Sequence, residues 1–425
     1  MDRKRRTGRA YLDETTRWSI GLHVSYRCRR VEGVLIAASG RGRDAWIDIK
    51  AAKALAVPDA AAALFRQLSG TLTGTILHDA LPELRSGLAR VEAELCKELL
   101  AQAAVPNSKI LAVGVDDPGI WGGGISSVES YLGLCDAALL AELTGLNVID
   151  AFPARDLAQG GQGGPITALP EWILLQDPLR ERLILDLGRT VRMTYLPAGR
   201  EATAPERVLA FEVGPGTRLL DELTHRLTGG QHSFDRGGSM AVQGRRIDDL
   251  LEHWLADPSF NRPLPRWHPR GMQPERFLSD AIRMAVDSDW TVRDLLCTAA
   301  HLIAESVVQA LRWLPSDAQV DQMLLTGGGR HNGMLLREIN ARMPHLSTVH
   351  VQELGVPDGV LSAASAAVLV LCHVDHMPAG QAASAGAERR CVLGRLTPGS
   401  AENWQRLLQQ MTETGTASRA LRKVI

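Results

Sequence analysis

The sequence lacks the features that would place a protein in a membrane, outside the cell or on a nucleic acid. Its most apolar run, residues 363–372, has ten residues, about half of what a membrane span requires. Its six cysteines include no pair at the spacing of a zinc site or a C-x-x-C redox pair, which is typical of buried thiols in a reducing cytosol. The 47 basic and 48 acidic residues give a net charge of −1, which does not support nucleic-acid coating. We therefore expect a cytoplasmic protein without a nucleic-acid or membrane partner.

Length and composition set the expected domain plan. The 425 residues exceed one ordinary hydrophobic core, so two domains are expected. Residues 1–16 are polar, contain a basic run and lack the apolar segment of a signal peptide. We interpret them as a flexible basic tail, with an interaction tail as the alternative. We expect a first lobe over residues 17–180 and a second over 181–377, followed by a linker and a C-terminal helix over 378–425.

The order of predicted strands and helices repeats along the chain. The first half reads as three strands (19–25, 33–38, 45–49), helices (61–68, 84–103), a strand (110–115), a helix (136–143) and a strand (147–152). The second half reads as three strands (183–188, 191–195, 208–213), a helix (217–227), a long helical region (273–313), a strand (322–325), a helix (334–342), a strand (348–351) and a helix (362–372). Alternating strands and helices favour a mixed sheet with helices on its faces. The repeat therefore predicts two duplicated α/β lobes, with two unrelated α/β domains as the alternative.

One carboxylate stands just after a predicted strand, at the start of a glycine-dense turn. Asp156 precedes residues 160–165, whose sequence is Gly-Gly-Gln-Gly-Gly-Pro. A turn with almost no side chains lets a ligand or a second backbone approach closely. A carboxylate in such a place is suited to act as a general base in a domain cleft. The alternative is a scaffold residue that caps or ties the glycine turn.

Two further glycine turns each join a predicted strand to a predicted helix. Gly214 and Gly216 belong to the first, where backbone N–H groups at a helix start can hold phosphate or sugar oxygens. Gly327, Gly328 and Gly329 form the second, which leaves room for a flat or charged ligand against the main chain. A glycine turn is more often only a turn, but all three turns lie at strand ends in the order that a duplicated fold requires.

Together these segments resemble the anhydro-N-acetylmuramic acid kinases, which are actin-like sugar kinases. The resemblance covers roughly residues 17 to 375 and depends on Asp156 with its glycine turn and on the two other turns. Further matching residues are Phe234, Asp235, Ala241, Gly244, Asp257, Pro258, Phe260 and Asn332. The resemblance implies an α/β fold of two duplicated ribonuclease-H-like lobes, of the actin/hexokinase type, around a central cleft.

The resemblance also implies an activity and a set of site residues. The family hydrolyses the 1,6-anhydro bond of a recycled cell-wall sugar and phosphorylates the 6-oxygen, using ATP and Mg²⁺. Its catalytic base falls on Asp156, which takes a proton from the water that attacks the anomeric carbon. The residues placed near the sugar are Arg155, Gly161, Gln162 and Asp116. The residues placed near the nucleotide and its phosphates are Gly214, Gly216, Gly327, Gly328, Gly329, Asn332, Ser25 and Arg27.

Several family positions hold different residues. The family's Gly-Thr-Ser loop and Asp, which receive the ATP phosphates, are replaced by residues 23–30, His-Val-Ser-Tyr-Arg-Cys-Arg-Arg. Tyr26 and Cys28 are expected to crowd a phosphate there, whereas the arginines attract one. A His-Gly-Gln-Thr turn at the sugar becomes Asp116 and Asp117 followed by Pro and Gly, and these carboxylates either bind sugar or metal or form a solvated turn. Arg189 stands where the family has glycine, and we expect it to project into the cleft.

Two functions follow from these observations. The first is an ATP-dependent kinase of this type, whose partners are Mg²⁺, a small sugar and a nucleotide, with a homodimer as a compatible assembly. The second is a non-catalytic paralogue that binds a sugar, a nucleotide or a partner protein, because the phosphate loop is replaced by bulky and basic residues. A structural interaction protein that uses the basic tail is a third hypothesis.

Overall fold

The computed structural model describes residues 16–68, 74–122, 129–199, 204–268, 272–286 and 288–421, so the predicted basic tail lies outside it except for residue 16. The first half contains strands β1 (Arg17–Val24), β2 (Arg30–Ser39), β3 (Trp46–Ala56), β4 (Ile110–Asp116), β5 (Ile120–Gly122), β6 (Ser130–Leu132) and β7 (Val148–Asp150), and helices α1 (Asp59–Leu68), α2 (Gly74–Ala103), α3 (Ala137–Thr144), α4 (Phe152–Leu157) and α5 (Ala168–Leu175). The second half contains strands β8 (Glu181–Leu187), β9 (Thr190–Leu196), β10 (Leu209–Pro215), β11 (Val320–Thr326) and β12 (Ser347–His350), and helices α6 (Ala204–Arg207), α7 (Thr217–Leu227), α8 (Asp248–Leu255), α9 (Glu275–Ala285), α10 (Val292–Ala310), α11 (Gly333–Arg342) and α12 (Leu361–Val374). The C-terminal part contains α13 (Ala382–Ala385), β13 (Arg395–Thr397) and α14 (Ala401–Leu421).

Each half contains one large sheet, and these two sheets share a topology; β5 and β6 form a separate two-stranded sheet in the first half. In the first, the antiparallel strands β3, β2 and β1 continue into β4 and β7, which run parallel to β1, and β13 joins the edge antiparallel to β7. In the second, the antiparallel strands β10, β9 and β8 continue into the parallel strands β11 and β12. The same order of antiparallel and parallel strands occurs twice, so the predicted class of two duplicated ribonuclease-H-like lobes is confirmed.

Helices cover the outer faces of both sheets, and two helices fill the space between the sheets. The outer core of the first lobe is formed with α1, α2 and α3, and that of the second with α7 to α11. The shared inner core contains α5 and α12. Although α5 follows the first sheet, it contacts β9 of the second, and α12 follows the second sheet but packs on β1, β2 and β4. We call α5 and α12 the exchanged helices, because each packs on the sheet of the other half, and they join the two lobes through one core.

Two facing glycines bring α12 directly onto the first sheet. Gly21 of β1 and Gly114 of β4 are register partners. A Cβ on Gly21 would overlap the Ala363 carbonyl oxygen, and one on Gly114 would lie 2.6 Å from the Ala366 carbonyl oxygen. Ser19, two residues before Gly21, donates to the Ala367 carbonyl oxygen at 2.9 Å. The helix therefore runs antiparallel to β1, and its first residues lie level with the end of β1.

The long helical region predicted over residues 273–313 is two helices. α10 begins at a capping box, in which Thr291 accepts from the Asp294 N–H and the Asp294 carboxylate accepts from the Thr291 N–H. Within the described part of the chain, one helical stretch, Val292–Trp313, is long and apolar enough to cross a membrane, and 72% of its apolar window is buried inside the protein. That burial is what a core helix of the second lobe requires.

Residues 378–389, predicted as a linker, and the strand β13 that follows them pack against both lobes. Ala379 and Ala385 are buried, and β13 extends the first sheet. The Ser384 hydroxyl accepts from the Ala210 N–H of β10 at 2.9 Å, and Arg395 pairs with Asp150 of β7 at 2.6 Å. The Ala/Gly/Ser-rich composition suggested flexibility, but small side chains also allow close backbone packing. The C-terminal helix predicted after this segment is present as α14.

Candidate active site

The space between the two sheets becomes polar at one end. Its middle is apolar, where residues such as Ile36 and Leu324 pack on the exchanged helices. Because side chains alternate along a strand, charged residues also lie on the faces that the two sheets turn toward each other, nearer the carboxyl ends of the parallel strands. These charged residues are His23, Asp116, Asp186, Arg192 and Glu212. Ligands of open α/β sheets bind at the carboxyl ends of the strands, so this end of the inter-sheet space is the candidate cleft.

A histidine and a carboxylate meet at the ends of β1 and β4. His23 Nδ1 lies 2.7 Å from Asp116 Oδ2, and the two residues are register partners. Burial by itself lowers the pKa of His23, but the hydrogen bond and charge of Asp116, with the charge of Glu32, outweigh burial and raise that pKa. Asp116, predicted near the sugar, therefore orients an imidazole at the candidate cleft. We refer to His23 and Asp116 as the cleft dyad.

Asp117 has a different role from its neighbour. Its carboxylate accepts from the Gly119 N–H at 2.8 Å and the Cys135 N–H at 3.0 Å, and Tyr131 donates its hydroxyl to it at 3.2 Å. Burial raises the pKa of Asp117 to about 6, although these backbone bonds oppose the shift. The prediction that both adjacent carboxylates bind sugar or metal, or else form a solvated turn, is thus wrong for Asp117, because alternation along the strand turns it away from the cleft.

An arginine on the second sheet joins the polar end to α5. Arg192 Nη2 lies 2.7 Å from Glu171 of α5 and 3.6 Å from Asp186 of β8. Glu171 is 0% exposed, and its second oxygen has no hydrogen-bond partner among the described residues. Sequence reasoning did not single out Arg192 or Glu171. The available signal was a lone arginine in the alternating strand 191–195, but its partner on α5 is brought near only by the fold.

Asp156 is buried and aimed at its own glycine turn. It lies in α4, directly after β7, and is 2% exposed. Its Oδ2 accepts from the Gly163 N–H at 2.8 Å, whereas its Oδ1 is buried and has no hydrogen-bond partner within the described chain. A Cβ on Gly161 would overlap the carboxylate, so the turn must be bare there. Burial raises the pKa of Asp156 to about 6, and the Gly163 N–H opposes this shift.

The glycine turn after Asp156 connects the two lobes. Gln162 accepts from the Trp267 N–H at 2.9 Å and donates to the Pro265 carbonyl oxygen at 3.4 Å. This segment belongs to the second lobe, because the neighbouring Arg266 carbonyl accepts from the Glu212 N–H of β10 at 2.9 Å. The amide predicted to contact sugar is therefore engaged between the lobes. Arg155 is exposed in the last turn of α4, and its predicted role in sugar binding stays a prediction.

Residues 380–388, called here the C-terminal segment, cover the other side of the glycine turn after Asp156. The Gln162 N–H donates to the Ala385 carbonyl at 2.8 Å, and the Glu388 N–H donates to the Gln159 carbonyl at 2.8 Å. A Cβ on Gly380 would lie 3.7 Å from Asp156 Oδ1. The unpartnered oxygen of Asp156 therefore lies beside Gly380, in a narrow space that the C-terminal segment encloses.

The turn that contains Gly214 and Gly216 packs on the β8–β9 hairpin. The Gly216 N–H donates to the Arg189 carbonyl at 3.1 Å, and the Thr217 N–H donates to the Gly188 carbonyl at 2.8 Å. A Cβ on Gly216 would overlap the Gly188 carbonyl, and one on Gly214 would lie 2.8 Å from the Phe260 ring. The N–H groups expected to hold phosphate are thus bonded within the protein in this arrangement.

The triple-glycine turn presents one open backbone position. Gly327 has a positive φ of 80° and packs against the end of β8, as does Gly329, whereas a Cβ on Gly328 would meet nothing within 4 Å. Asn332, predicted near the nucleotide, caps α11 by accepting from the Leu335 N–H at 3.0 Å. The turn therefore offers a bare surface at Gly328, and the side chain of Asn332 supports the following helix.

Backbone N–H groups of the hairpin between β1 and β2 are bonded within the hairpin. The Ser25 hydroxyl accepts from the Arg29 and Arg30 N–H groups, each at 3.2 Å. Cys28 has a positive φ of 49° and its side chain is 0% exposed in the outer core of the first lobe. The expectation that Cys28 crowds a phosphate is wrong, because this backbone conformation turns the thiol away from the cleft.

Two side chains span the gap between the β1–β2 hairpin and the β8–β9 hairpin. The guanidinium of Arg189 lies over the Tyr26 ring, 4.7 Å from its centroid. Beside it, Arg27 lies 3.8 Å from Glu222 of α7. Burial, with the charges of Arg27 and Arg218, lowers the pKa of Arg189 to about 10. We call the Tyr26 and Arg189 pair the hairpin latch, since it joins the two lobes where the sequence predicts ATP phosphates.

Comparison with known proteins decides the family. The family model described as anhydro-N-acetylmuramic acid kinase matches residues 30–399 of the chain. The chain belongs to this family. An anhydro-N-acetylmuramic acid kinase of Gloeobacter violaceus is 30% identical over 394 residues, which cover 89% of this chain and 98% of that one. One of Crocosphaera subtropica is 31% identical over 258 residues, which cover 60% of this chain and 67% of that one.

Among solved structures, the activator of the 2-hydroxyisocaproyl-CoA dehydratase from Clostridium difficile is similar over 83% of this chain and 94% of that chain, with a TM-score of 0.40 and 14% identity.

Kinases of the family need room for ATP and a divalent metal, and the residues present fit them in part. The open backbone at Gly328 fits a nucleotide, and Asp186 at the end of β8 fits Mg²⁺, which takes most of its ligands from water and phosphate. No cluster of three metal-ligating side chains occurs in the described ranges. The fit is poorer where the resemblance places the phosphates, because Tyr26 and Arg189 span the gap between the hairpins there.

Proposed function

We propose that the chain is an ATP-dependent sugar kinase that opens the anhydro bond of 1,6-anhydro-N-acetylmuramic acid and phosphorylates its 6-oxygen, as part of amino-sugar recycling in the cytoplasm. The observation that carries the proposal is the state of Asp156. One oxygen of this buried carboxylate is fixed by the Gly163 N–H, and the other lacks a protein partner among the described residues. A buried acceptor without a partner is costly, and a reactive water would supply the missing donor.

The environment of Asp156 suits proton abstraction. Burial raises the pKa of Asp156 to about 6, so the carboxylate is still ionised at neutral pH but more basic than an ordinary aspartate. A catalytic base is most effective when its pKa lies near the working pH. Oδ1 would take the proton as the water oxygen attacks the anomeric carbon. The bond from that carbon to the 6-oxygen would break, and this oxygen would be free to receive a phosphoryl group, which ATP supplies when bound.

Incubation with ATP, Mg²⁺ and 1,6-anhydro-N-acetylmuramic acid tests the proposal. The expected products are ADP and a sugar whose mass equals the substrate plus water plus a phosphoryl group. Asp156→Asn should abolish that product, whereas Asp48→Asn, a change on exposed strand β3, should not alter it. Formation of neither product by the wild-type protein would count against a kinase, and undiminished turnover by Asp156→Asn would reject the role of that residue.

The second candidate is a non-catalytic member of the family, and the hairpin latch favours it. Tyr26 and Arg189 occupy the gap, and N–H groups of the first hairpin and of the turn at Gly216 are bonded within the protein. Calorimetric titration with ATP separates the two candidates. Mg²⁺-dependent binding at micromolar concentration supports the kinase, whereas absence of binding with or without the sugar supports a paralogue that does not use nucleotide.

A further inference from the structure

The cleft dyad holds an imidazole in one orientation at the mouth of the cleft. Because His23 Nδ1 lies 2.7 Å from Asp116 Oδ2, the carboxylate favours the proton on Nδ1 and leaves Nε2 as an acceptor. Nε2 has no hydrogen bond within the part of the chain that the structure describes. The side chains of His23 and Asp116 are 27% and 18% exposed. The pair therefore presents a fixed, partly exposed proton acceptor.

The packing of β1 explains why this histidine faces the cleft. Ser19, Gly21 and His23 alternate along one face, and the first two contact α12 at Ala367 and Ala363. His23 lies two residues beyond Gly21 on β1, and α12 begins at Leu361, so this part of β1 extends past the start of the helix. His23 therefore lies where the covering helix has ended and the space between the lobes opens.

Charged groups on two neighbouring strands and on one strand of the other sheet act on His23. Asp116 on β4 and Glu32 on β2 raise its pKa, and Arg192 on β9 of the second lobe lowers it. Glu32 is the register partner of His23 on β2. Because Arg192 belongs to the other sheet, the dyad is electrostatically coupled to both lobes. A change in the separation of the lobes would alter the basicity of the imidazole.

The dyad and Asp156 serve different places in the cleft. The sheet order β7-β4-β1 places β1 two strands from β7, a separation of about 10 Å. His23 lies two residues before the first hairpin, where phosphates are expected, whereas Asp156 follows β7. Opening an anhydro bond needs one base, for the attacking water, because the 6-oxygen is released without a proton. A second base near the gap between the hairpins, where phosphates are expected, suits an acceptor with a free hydroxyl group, because that hydroxyl must lose its proton when its oxygen attacks phosphorus.

We propose that His23, oriented by Asp116, is a second general base that deprotonates a free sugar hydroxyl, so that the acceptors of this chain include amino sugars without an anhydro bond. This inference rests on the proposed kinase function. In the step, Nε2 takes the hydroxyl proton while the hydroxyl oxygen forms a bond to the γ-phosphorus of a nucleoside triphosphate. The bond from that phosphorus to the bridging oxygen breaks, and the nucleoside diphosphate leaves with the electron pair.

NMR of the imidazole tests the dyad without any turnover. The Nδ1-protonated tautomer of His23 is expected, and Asp116→Asn should lower the pKa of His23 by about one unit or more, since it removes the charge that stabilises the imidazolium. His253 and Asp280, 3.0 Å apart on the outer side of the second lobe, form a matched control pair. Asp280→Asn should leave the His23 signals unchanged. An Nε2-protonated His23, or a His23 pKa that is unchanged in Asp116→Asn, would overturn the proposal.

Comparison of two sugars tests the catalytic role. The wild-type protein should phosphorylate both N-acetylmuramic acid, which has a free 6-hydroxyl, and its 1,6-anhydro form. His23→Gln should lower kcat for the free sugar about 10²–10⁴-fold, at least tenfold more than for the anhydro sugar, with little change in KM. His253→Gln is the control and should lower neither rate. Equal losses for both sugars would indicate a structural role and overturn the inference.

The two proposals fail in different ways. Turnover of the anhydro sugar without turnover of the free sugar would overturn the second base and leave the proposed kinase standing. Failure of the wild-type protein to phosphorylate either sugar would overturn both proposals, whatever the NMR result.

Discussion

Replacing Tyr26 by serine and Arg189 by glycine should open the gap between the two hairpins and strengthen ATP binding. The change removes the ring and the guanidinium that lie 4.7 Å apart across the gap. It also places small residues where the family has them, in the Gly-Thr-Ser loop and at the glycine of the second hairpin. If ATP binds only the open arrangement, its apparent affinity is reduced by the fraction of molecules that are open.

The size of the effect follows from the contacts that close the gap. A cation–π pair of this geometry contributes about 0.5–2 kcal/mol. The ion pair of Arg27 and Glu222 is 3.8 Å long, with side chains 46% and 24% exposed, so it contributes about 0–1 kcal/mol. Burial, with the charges of Arg27 and Arg218, lowers the pKa of Arg189 to about 10 and so disfavours the charged guanidinium at this place. Because the variant keeps the ion pair of Arg27 and Glu222, the gain comes from the cation–π pair alone, and about 0.5–2 kcal/mol corresponds to about 2–30-fold in affinity.

Isothermal titration calorimetry with ATP and Mg²⁺ at fixed ionic strength measures this gain. The double variant Tyr26→Ser with Arg189→Gly should bind more tightly than either single variant, and each single variant more tightly than the wild type. Arg246→Gly is the matched control, because it removes an arginine from an outer ion pair with Asp248 and should leave ATP affinity unchanged.

Two outcomes would refute the reasoning on the latch. Equal affinity for wild type and double variant would show that the pair does not close the nucleotide site. Weaker binding by the Arg189→Gly variants would show that this guanidinium holds phosphate, as arginine does at many phosphate sites.

Other consequences concern the pH dependence and the packing. The rate with the anhydro sugar should rise with pH around 6, the pKa of Asp156, rather than around 4. A rise centred near pH 4 would contradict the assignment of the buried Asp156 as the base. A folded-state carboxyl pKa raised from 3.8 to about 6 means that stability is lost as pH rises through this window, by up to about 3 kcal/mol. Asp156→Asn should remove that dependence of Tm between pH 4 and 7, and an unchanged dependence would oppose it. Glu92 is 0% exposed, neither of its oxygens has a partner among the described groups, and burial raises its pKa to about 8. Glu92→Leu should therefore raise stability by about 2–4 kcal/mol near pH 8, and less near pH 5, as measured by urea denaturation at both pH values; a loss at both would contradict this. Gly21→Val should lower Tm strongly, since its side chain would overlap Ala363, and an unchanged Tm would refute the packing of α12 on β1.

The architecture could be predicted because it depends on local patterns. Alternating strands, periodic helices and glycine turns recur in both halves of the sequence, and their order alone indicates the duplicated lobes. The position of Asp156 after β7 and before a bare turn follows from the same reasoning. The fold then adds what the sequence did not show, namely that one oxygen of Asp156 is bonded to Gly163 and the other is left without a partner.

The parts that were missed depend on contacts between distant segments. Asp116 and Asp117 are adjacent, but alternation along the strand turns the first toward the cleft and the second away from it. Cys28 leaves the cleft because its φ is positive, which residue type alone does not reveal. The stacking of Arg189 on Tyr26 joins positions more than 160 residues apart, and no local pattern records it.

The linker assignment failed for a related reason. Small residues are typical of flexible linkers, but they are equally suited to lie close to another backbone. Residues 378–391 enclose the glycine turn through Ala385 and Glu388, and the choice between the two readings depends on a partner that is over 200 residues away.

The role of Asp156 in activating the attacking water is tested most sharply by following the oxygen of water through a single turnover. The protein, ATP, Mg²⁺ and 1,6-anhydro-N-acetylmuramic acid are mixed in H₂¹⁸O and quenched early, and the products are analysed by mass spectrometry. The expected products carry one ¹⁸O on the anomeric carbon and none in the phosphoryl group, and Asp156→Asn should give no labelled sugar phosphate. Label in inorganic phosphate, with the sugar unchanged, would show that water attacks ATP instead and would contradict the assigned role of Asp156.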